Sequence, residues 1–274
     1  MSSEATTEDA PNFYEVWGLN VETYDERTAL EWTATNEDVA FFVRQAQRFG
    51  GPILELGSGT GRVTWPLAEA GFEIVGLDLS EAMIQHANAK RSHQDHAVRD
   101  RATFVQGAMS DFRLDRTFAL VIIPYRAFQA LTTPAEQRQC LQCIHRHLDA
   151  DGRSIIDLFD PRLELCYPQD SSPHLKLHEV RHPVSGNVVR TEMLTKHNDT
   201  VAQVLTERFR FTEVGSWGKT VRQEERVLRL RWTYRQEMRY LFELTGFDVE
   251  AEYSDFDESP PAYGKEQLWV VRKR

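Results

Sequence analysis

One ten-residue run constrains this chain more than any other: Ile53-Leu54-Glu55-Leu56-Gly57-Ser58-Gly59-Thr60-Gly61-Arg62. Four residues with the pattern of a buried strand lead into glycines at alternate positions, and a helical pattern follows. The glycines let the chain turn sharply and let its backbone approach a ligand closely. The N–H groups at the start of the helix face the same place. A second strand pattern ends at Asp78, 21 residues beyond Gly57. An acidic side chain there can accept hydrogen bonds from two hydroxyls of a ribose.

The surrounding residues repeat this alternation. Strands are expected at 53–56, 73–77, 103–106, 118–123 and 153–159, with helices at 62–70, 80–90 and 134–148. Ser80 is the expected cap of the second helix. Strands alternating with helices imply an α/β fold: a doubly wound, mostly parallel seven-stranded sheet whose ligands bind at the C-terminal strand edge. Before the first strand the pattern is helical from Phe13 to Phe49, with Asn36 as a candidate cap and Gly50-Gly51-Pro52 as the stop. After Pro173 the rhythm changes. Extended runs at 174–182, 188–196, 201–212 and 220–231 are separated by short turns, which predicts an antiparallel β-sheet insert. A helix at 234–244 and strands at 247–253 and 267–271 complete the chain. The expected organisation is a disordered tail at 1–12, a ligand-binding domain at 13–172 and 233–274, and the insert at 173–232.

Charge narrows the partners. Asp and Glu outnumber Lys and Arg by 42 to 32, a net charge of −10. No general attraction to nucleic acid or to anionic membranes is expected. The basic runs at 222–235 and 272–274 are read as solvated strand faces, the first being interrupted by Glu224 and Glu225. No apolar run spans a bilayer, and the acidic N-terminus does not read as an export signal. Cys140 and Cys143 form a CxxC inside a helical pattern with no second pair, so two structural thiols in a reducing cytoplasm are expected rather than zinc. No spacing of His and carboxylates points to a metal; His145 and His147 are expected to face outward from their helix. His174, His178 and His182 lie in the insert.

Two details of the glycine turn distinguish ligands. Its spacing is GxGxG rather than the GxGxxG of dinucleotide sites, and Glu55 sits two residues before the first glycine. A pyrophosphate would be repelled by that carboxylate, whereas an amino acid's ammonium group would be attracted. A ligand with an ammonium at one end and a ribose at the other satisfies both acidic residues. S-adenosylmethionine is such a ligand.

At these residues the sequence resembles the class I, Rossmann-like methyltransferases. Glu55 to Gly61 matches their first motif, and Val75-Gly76-Leu77-Asp78-Leu79-Ser80 with Met83 matches their second. The resemblance implies S-adenosylmethionine as cofactor, S-adenosylhomocysteine as product, and no metal. It places Glu55, Gly57, Ser58, Gly59 and Gly61 at the methionine end, Asp78 on the ribose, and Leu79 and Met83 beside the adenine. Ala108 stands where an acidic residue often binds the adenine amino group, leaving backbone around Ala108 and Met109, or Asp111, to do so. Arg126 and Phe128 follow the fourth strand in the family's substrate-facing segment. Arg126 is a candidate clamp for an acceptor carboxylate or phosphate, or a member of an ion pair. Tyr24-Asp25 resembles the N-terminal Tyr-Asp of small-molecule N-methyltransferases, which makes Tyr24 the candidate catalytic residue. Tyr14, Trp17 and Trp32 could share an aromatic wall with it. The insert resembles those of glycine and aminosugar N-methyltransferases, implying a lid and a contact between two copies of the chain. Methyl transfer to nitrogen or oxygen of a small molecule is the expected activity, nitrogen slightly favoured. The alternatives are an RNA or protein methyltransferase, a non-catalytic cofactor-binding module, and a nicotinamide-dependent dehydrogenase.

Overall fold

A computed structural model describes residues 10–31, 37–166 and 175–274. In chain order the elements are α1 (Leu19–Glu22), α2 (Tyr24–Glu31), α3 (Glu37–Phe49), β1 (Ile53–Leu56), α4 (Thr64–Glu69), β2 (Ile74–Asp78), α5 (Glu81–Ala89), α6 (His96–Arg101), β3 (Ala102–Gln106) and β4 (Phe118–Ile123). They continue with α7 (Pro134–His147), β5 (Leu148–Phe159), β6 (Leu175–Arg181), β7 (Val188–Asp199), β8 (Val204–Val214), β9 (Thr220–Arg231), α8 (Arg235–Leu244), β10 (Phe247–Tyr253) and β11 (Glu266–Lys273).

Seven strands form one sheet in the order β10-β11-β5-β4-β1-β2-β3. The pairs from β5 to β3 are parallel, and β11 runs antiparallel to both of its neighbours. Alternation along the buried strands feeds two cores. Leu54, Leu56, Val121 and Ile123 face α7 and α8, where Leu141, Ile144, Met238 and Phe242 meet them. Ile53, Leu120, Ile122 and Ile155 face α3 and α4, against Phe41, Phe42, Ala46 and Leu67. A strand buried on both faces needs apolar residues at every position, which is why these strands read as continuous runs.

Strands β6 to β9 form a separate antiparallel sheet in sequence order. It packs Val180, Val189, Phe209 and Phe211 against Phe13 and Leu19. Glu22 at the end of α1 fastens the two parts. It accepts from Trp17 Nε1 at 2.7 Å, pairs with His182 Nε2 at 2.9 Å and is gripped by Arg222. His182 is therefore a structural contact.

Several expectations need correction. The stretch before β1 is not one helical run: α1 ends at Glu22 and α2 restarts at Tyr24. Residues 10–12, expected in a disordered tail, join the insert. Val227 N donates to Pro11 O at 3.0 Å, and Phe13 N donates to Val227 O at 2.8 Å. Residues 1–9, Trp32, the candidate cap Asn36 and His174 lie outside the described residues. His147 turns inward rather than outward: Nε2 accepts from Leu114 N at 2.9 Å, and Nδ1 lies 2.8 Å from Cys143 O. It supplies an acceptor to a loop N–H that would otherwise be buried unpaired. Cys140 and Cys143 are free buried thiols, the former held above the usual thiol range by burial. Among the described residues no helix is long and apolar enough to cross a membrane.

Candidate active site

The C-terminal ends of β1, β2, β4 and β5 meet along one sheet edge, and the glycine turn lies between the first two. Gly57 has φ +73°, and a Cβ there would sit 2.6 Å from the Cβ of Ala127. Only a residue without a side chain lets this turn pass so close to the turn after β4. Gly59 also has a positive φ, 54°, but a Cβ there would meet nothing within 4 Å, so this part of the turn opens outward. Ser58 is buried, and its hydroxyl has no hydrogen-bond partner among the described residues.

Two carboxylates close the ends of β1 and β2. Glu55 is 2% exposed and accepts a hydrogen bond from the Thr64 hydroxyl. Burial pushes its carboxyl up to about 8; the Thr64 bond and the Arg62 guanidinium pull the other way. Asp78 accepts from Gly59 N at 2.7 Å through one oxygen and from Ser80 N at 2.8 Å through the other. Burial raises this carboxyl as well, opposed by those two backbone donors. Ser80 caps α5 through its hydroxyl, which accepts from Met83 N at 3.2 Å.

Tyr24, Glu55, Gly57, Ser58, Arg62, Val63, Pro124 and Tyr125 line a small cleft of about 20 Å³. Whole small-molecule sites occupy about 300–1,000 Å³, so in this form the cleft has room for a water-sized group and not for a whole ligand. A larger groove bounded by Arg153, Arg239, Phe247, Asp248 and Arg272 lies at the opposite edge, where β5 begins and β11 ends. Ligands of such sheets bind beyond the strands' carboxyl ends, which favours the smaller cleft.

The structure brings Tyr24, Glu55, Gly57 and Ser58 together in that lining. Tyr24 stands edge-on to Tyr14 with ring centres 6.0 Å apart, and burial holds its phenol well above the usual range. Asp25 ties α2 to the glycine turn by accepting from the Thr60 hydroxyl at 2.6 Å, and it pairs with Lys90 at 2.5 Å. Trp17 is held away from the cleft lining by its bond to Glu22 and lies beside His86. Leu79 is 70% exposed at the end of β2, free to meet a ligand. Ala108 O accepts from Asp111 N at 3.0 Å in a tight turn, and Met109 reaches to within 3.5 Å of where a Gly57 Cβ would be.

Other expected site residues sit elsewhere. Met83 is 1% exposed and packs against Val21, Tyr24 and Ala82, so it faces the N-terminal helices and not an open adenine pocket. Phe128 does not line the cleft. The short 3₁₀ turn Ala127–Ala130 rotates it into the core beside Leu54, Ile123 and Leu141, fully buried. Arg126 is engaged with Glu266 at 2.7 Å and covers the Phe159 ring, which is the ion-pair alternative rather than a free clamp.

Sequence reasoning missed Arg62 and Asp157, and it reached Tyr125 only as part of the substrate-facing segment 124–129. Arg62, read only as a helix start, lines the cleft and is held by both oxygens of buried Asp38. Its guanidinium lies 5.2 Å from the Tyr125 ring. Tyr125 also lines the cleft, and Asp157 near the end of β5 accepts from Tyr125 N at 2.9 Å without lining the cleft itself. The position of Arg62 directly after the glycines was the available signal; nothing local marks Asp38 or Asp157. Among the described residues no group of three or more His, Cys, Asp or Glu is placed to hold a metal ion.

Residues 53–152 match a methyltransferase domain family. A cypemycin N-terminal methyltransferase from a Streptomyces species is 32% identical over 112 residues, 41% of this chain and 43% of the relative. A dTDP-3-amino-3,4,6-trideoxy-α-D-glucopyranose N,N-dimethyltransferase from Streptomyces venezuelae is 28% identical over 127 residues, 46% of this chain and 50% of the relative. The chain thus matches half or less of these two relatives' lengths. The crystal structure of DesVI from Streptomyces venezuelae superposes with a TM-score of 0.71 at 20% identity, over 94% of this chain and 100% of that one, a likeness of fold.

Proposed function

Because the chain carries a methyltransferase domain on a Rossmann-like sheet, we propose that it transfers a methyl group from S-adenosylmethionine to an amine nitrogen of a small-molecule acceptor. The observation that carries this reading is the pair of buried carboxyls at the ends of adjacent strands, Glu55 in the cleft and Asp78 beside the open part of the glycine turn. They stand on adjacent parallel strands, where one ligand with an ammonium at one end and a ribose next to it could meet both. The unpartnered Ser58 hydroxyl in the same lining fits a polar ligand group.

In this reading Glu55 receives the ammonium. Arg62 spends two of its donors on Asp38 and keeps others for the ligand's carboxylate. Asp78 receives the ribose hydroxyls while keeping its two backbone donors, since each carboxylate oxygen has more than one acceptor direction. Leu79 covers one face of the adenine. S-adenosylmethionine supplies an electrophilic methyl on a sulfonium, and the chain supplies alignment and surroundings. Tyr24 is the residue best placed to meet the acceptor. With its phenol held protonated it donates a hydrogen bond and does not act as a base at neutral pH. A neutral amine needs only alignment of its lone pair, so no proton need leave before transfer.

Nitrogen is favoured over oxygen by what the two relatives are named for, a peptide N-terminus and an amino group on a sugar nucleotide. The net charge of −10 weighs against an RNA acceptor. The free thiols of Cys140 and Cys143 fit a reducing cytoplasm. Calorimetry with S-adenosylhomocysteine and NAD tests the cofactor. Binding of the first without the second supports the reading, and the reverse refutes it. A screen of amine-bearing sugars and peptides with labelled S-adenosylmethionine then tests the acceptor class.

A further inference from the structure

The turn after β4 holds two successive residues in the left-handed backbone region, Tyr125 at φ 51° and Arg126 at φ 62°, and neither is glycine. Such residues persist only where their surroundings impose the conformation, and they gather at ligand clamps. Here the imposing contacts come from other strands. Tyr125 N donates to Asp157 Oδ2 at 2.9 Å, and Arg126 pairs with Glu266 at the start of β11. Asp157 is 2% exposed between the core residues Ile156 and Leu158, and its other oxygen has no hydrogen-bond partner among the described residues. Burying a carboxyl there is unfavourable, and its one recorded bond is to the Tyr125 backbone. Tyr125 and Pro124 line the cleft together with Glu55, and the Arg62 guanidinium lies 5.2 Å from the Tyr125 ring.

We propose that Asp157 is a positioning residue: by accepting the Tyr125 N–H it holds the turn in its left-handed form and so sets the wall that closes on the amino-acid end of the cofactor. It does not itself line the cleft. Burial, with the Glu266 carboxylate nearby, pushes its carboxyl above the usual carboxylate range, and both protonation states leave Oδ2 able to accept. The inference rests on the methyltransferase reading above and adds a residue to it.

Two probes separate a local effect from a general one. S-adenosylhomocysteine carries the amino-acid end; 5′-methylthioadenosine has the same adenosine and thioether without it. Asp157→Ala is expected to weaken S-adenosylhomocysteine binding about tenfold while changing 5′-methylthioadenosine less than about twofold. Asp157→Asn keeps an acceptor oxygen and should stay within about threefold of wild type for both. Asp157→Ser, too short to reach Tyr125 N yet polar, is the second variant should the alanine protein fail to fold, and it should behave as alanine. Unchanged S-adenosylhomocysteine binding, an equal loss for both probes, or an asparagine variant as weak as alanine would overturn the proposal while leaving the methyltransferase reading standing. Wild-type protein that binds neither probe removes that reading, and the inference with it.

Discussion

Glu55 makes the sharpest prediction. Its carboxyl is buried, lines the cleft and is pushed up to about 8, so at pH 7 the ligand-free protein holds it about 90% protonated. An ammonium seated about 4 Å away would attract the ionised form by about 4 kcal/mol at an effective dielectric near 20. Ionising the group at pH 7 first costs about 1.4 kcal/mol, one pH unit below its midpoint. The remaining 2.6 kcal/mol corresponds to about eightyfold in affinity. Glu55→Gln keeps the size and an acceptor for the Thr64 hydroxyl but not the charge, so S-adenosylhomocysteine should bind it about 50–100-fold more weakly. The wild-type protein should also release about 0.9 proton on binding at pH 7. Calorimetry in phosphate and in Tris reads this directly, because the apparent enthalpy differs by the released protons times the difference in buffer ionisation enthalpy. Identical enthalpies in the two buffers, or a glutamine variant that binds as tightly as wild type, would refute the placement of the ammonium at Glu55.

The remaining predictions concern neighbouring groups. Asp78→Ala removes the acceptor for Gly59 N, Ser80 N and the ribose, and S-adenosylhomocysteine affinity should fall by tenfold or more in a direct titration. Tyr24→Phe should leave that affinity within about twofold and slow methyl transfer to the acceptor that a screen identifies; an unchanged rate removes the hydroxyl from the mechanism. Phe128→Ala should cost about 3–5 kcal/mol of stability by denaturant titration, as a core truncation does, whereas a pocket residue would cost little. Glu55 folded titrates above its unfolded value of 4.5, so the folded chain binds more protons across pH 4.5 to 8, and its contribution to stability falls as pH rises through that window. Glu55→Gln should therefore raise the apoprotein's Tm at pH 8, with the gain shrinking toward pH 5.

What the sequence disclosed followed local physics. Strands β1, β4 and β10 begin and end where their apolar runs and flanking Gly and Pro placed them. The residues Glu55, Gly57 and Asp78 announced the candidate site because each stands at a strand end or in the turn that follows one, which a local pattern records. What stayed hidden depends on partners distant in sequence. Asp38 meets Arg62 from another helix, and Asp157 meets Tyr125 from another strand, so no local spacing records either pair. Phe128 follows β4 in a segment that points to the ligand edge, but the 3₁₀ turn rotates it inward, a turn that the residue types did not specify. His147 looked like a solvated helix residue until the unpaired Leu114 N–H supplied a reason to bury it. The break between α1 and α2 likewise answers to Glu22's contacts with the insert and not to a helix-stop residue.

The three carboxyls at the strand ends differ in how they are compensated, and that difference separates their roles. Asp78 receives two backbone N–H groups, one on each oxygen, and is nearly satisfied before any ligand arrives. Asp157 receives one, from the turn it braces, and does not line the cleft. Glu55 receives no recorded backbone donor, only the Thr64 hydroxyl, and it alone of the three lines the cleft. A buried acid without a paired cation is destabilising in the free protein, and a cation in the cleft would compensate it. Hydroxyls arriving at Asp78 add to a set of bonds already made and contribute orientation more than free energy. A cation arriving at Glu55 instead converts a protonated, poorly compensated acid into a paired ion. The amino-acid end of the ligand should therefore dominate affinity, and its removal, as in 5′-methylthioadenosine, should cost more than any single change around the ribose.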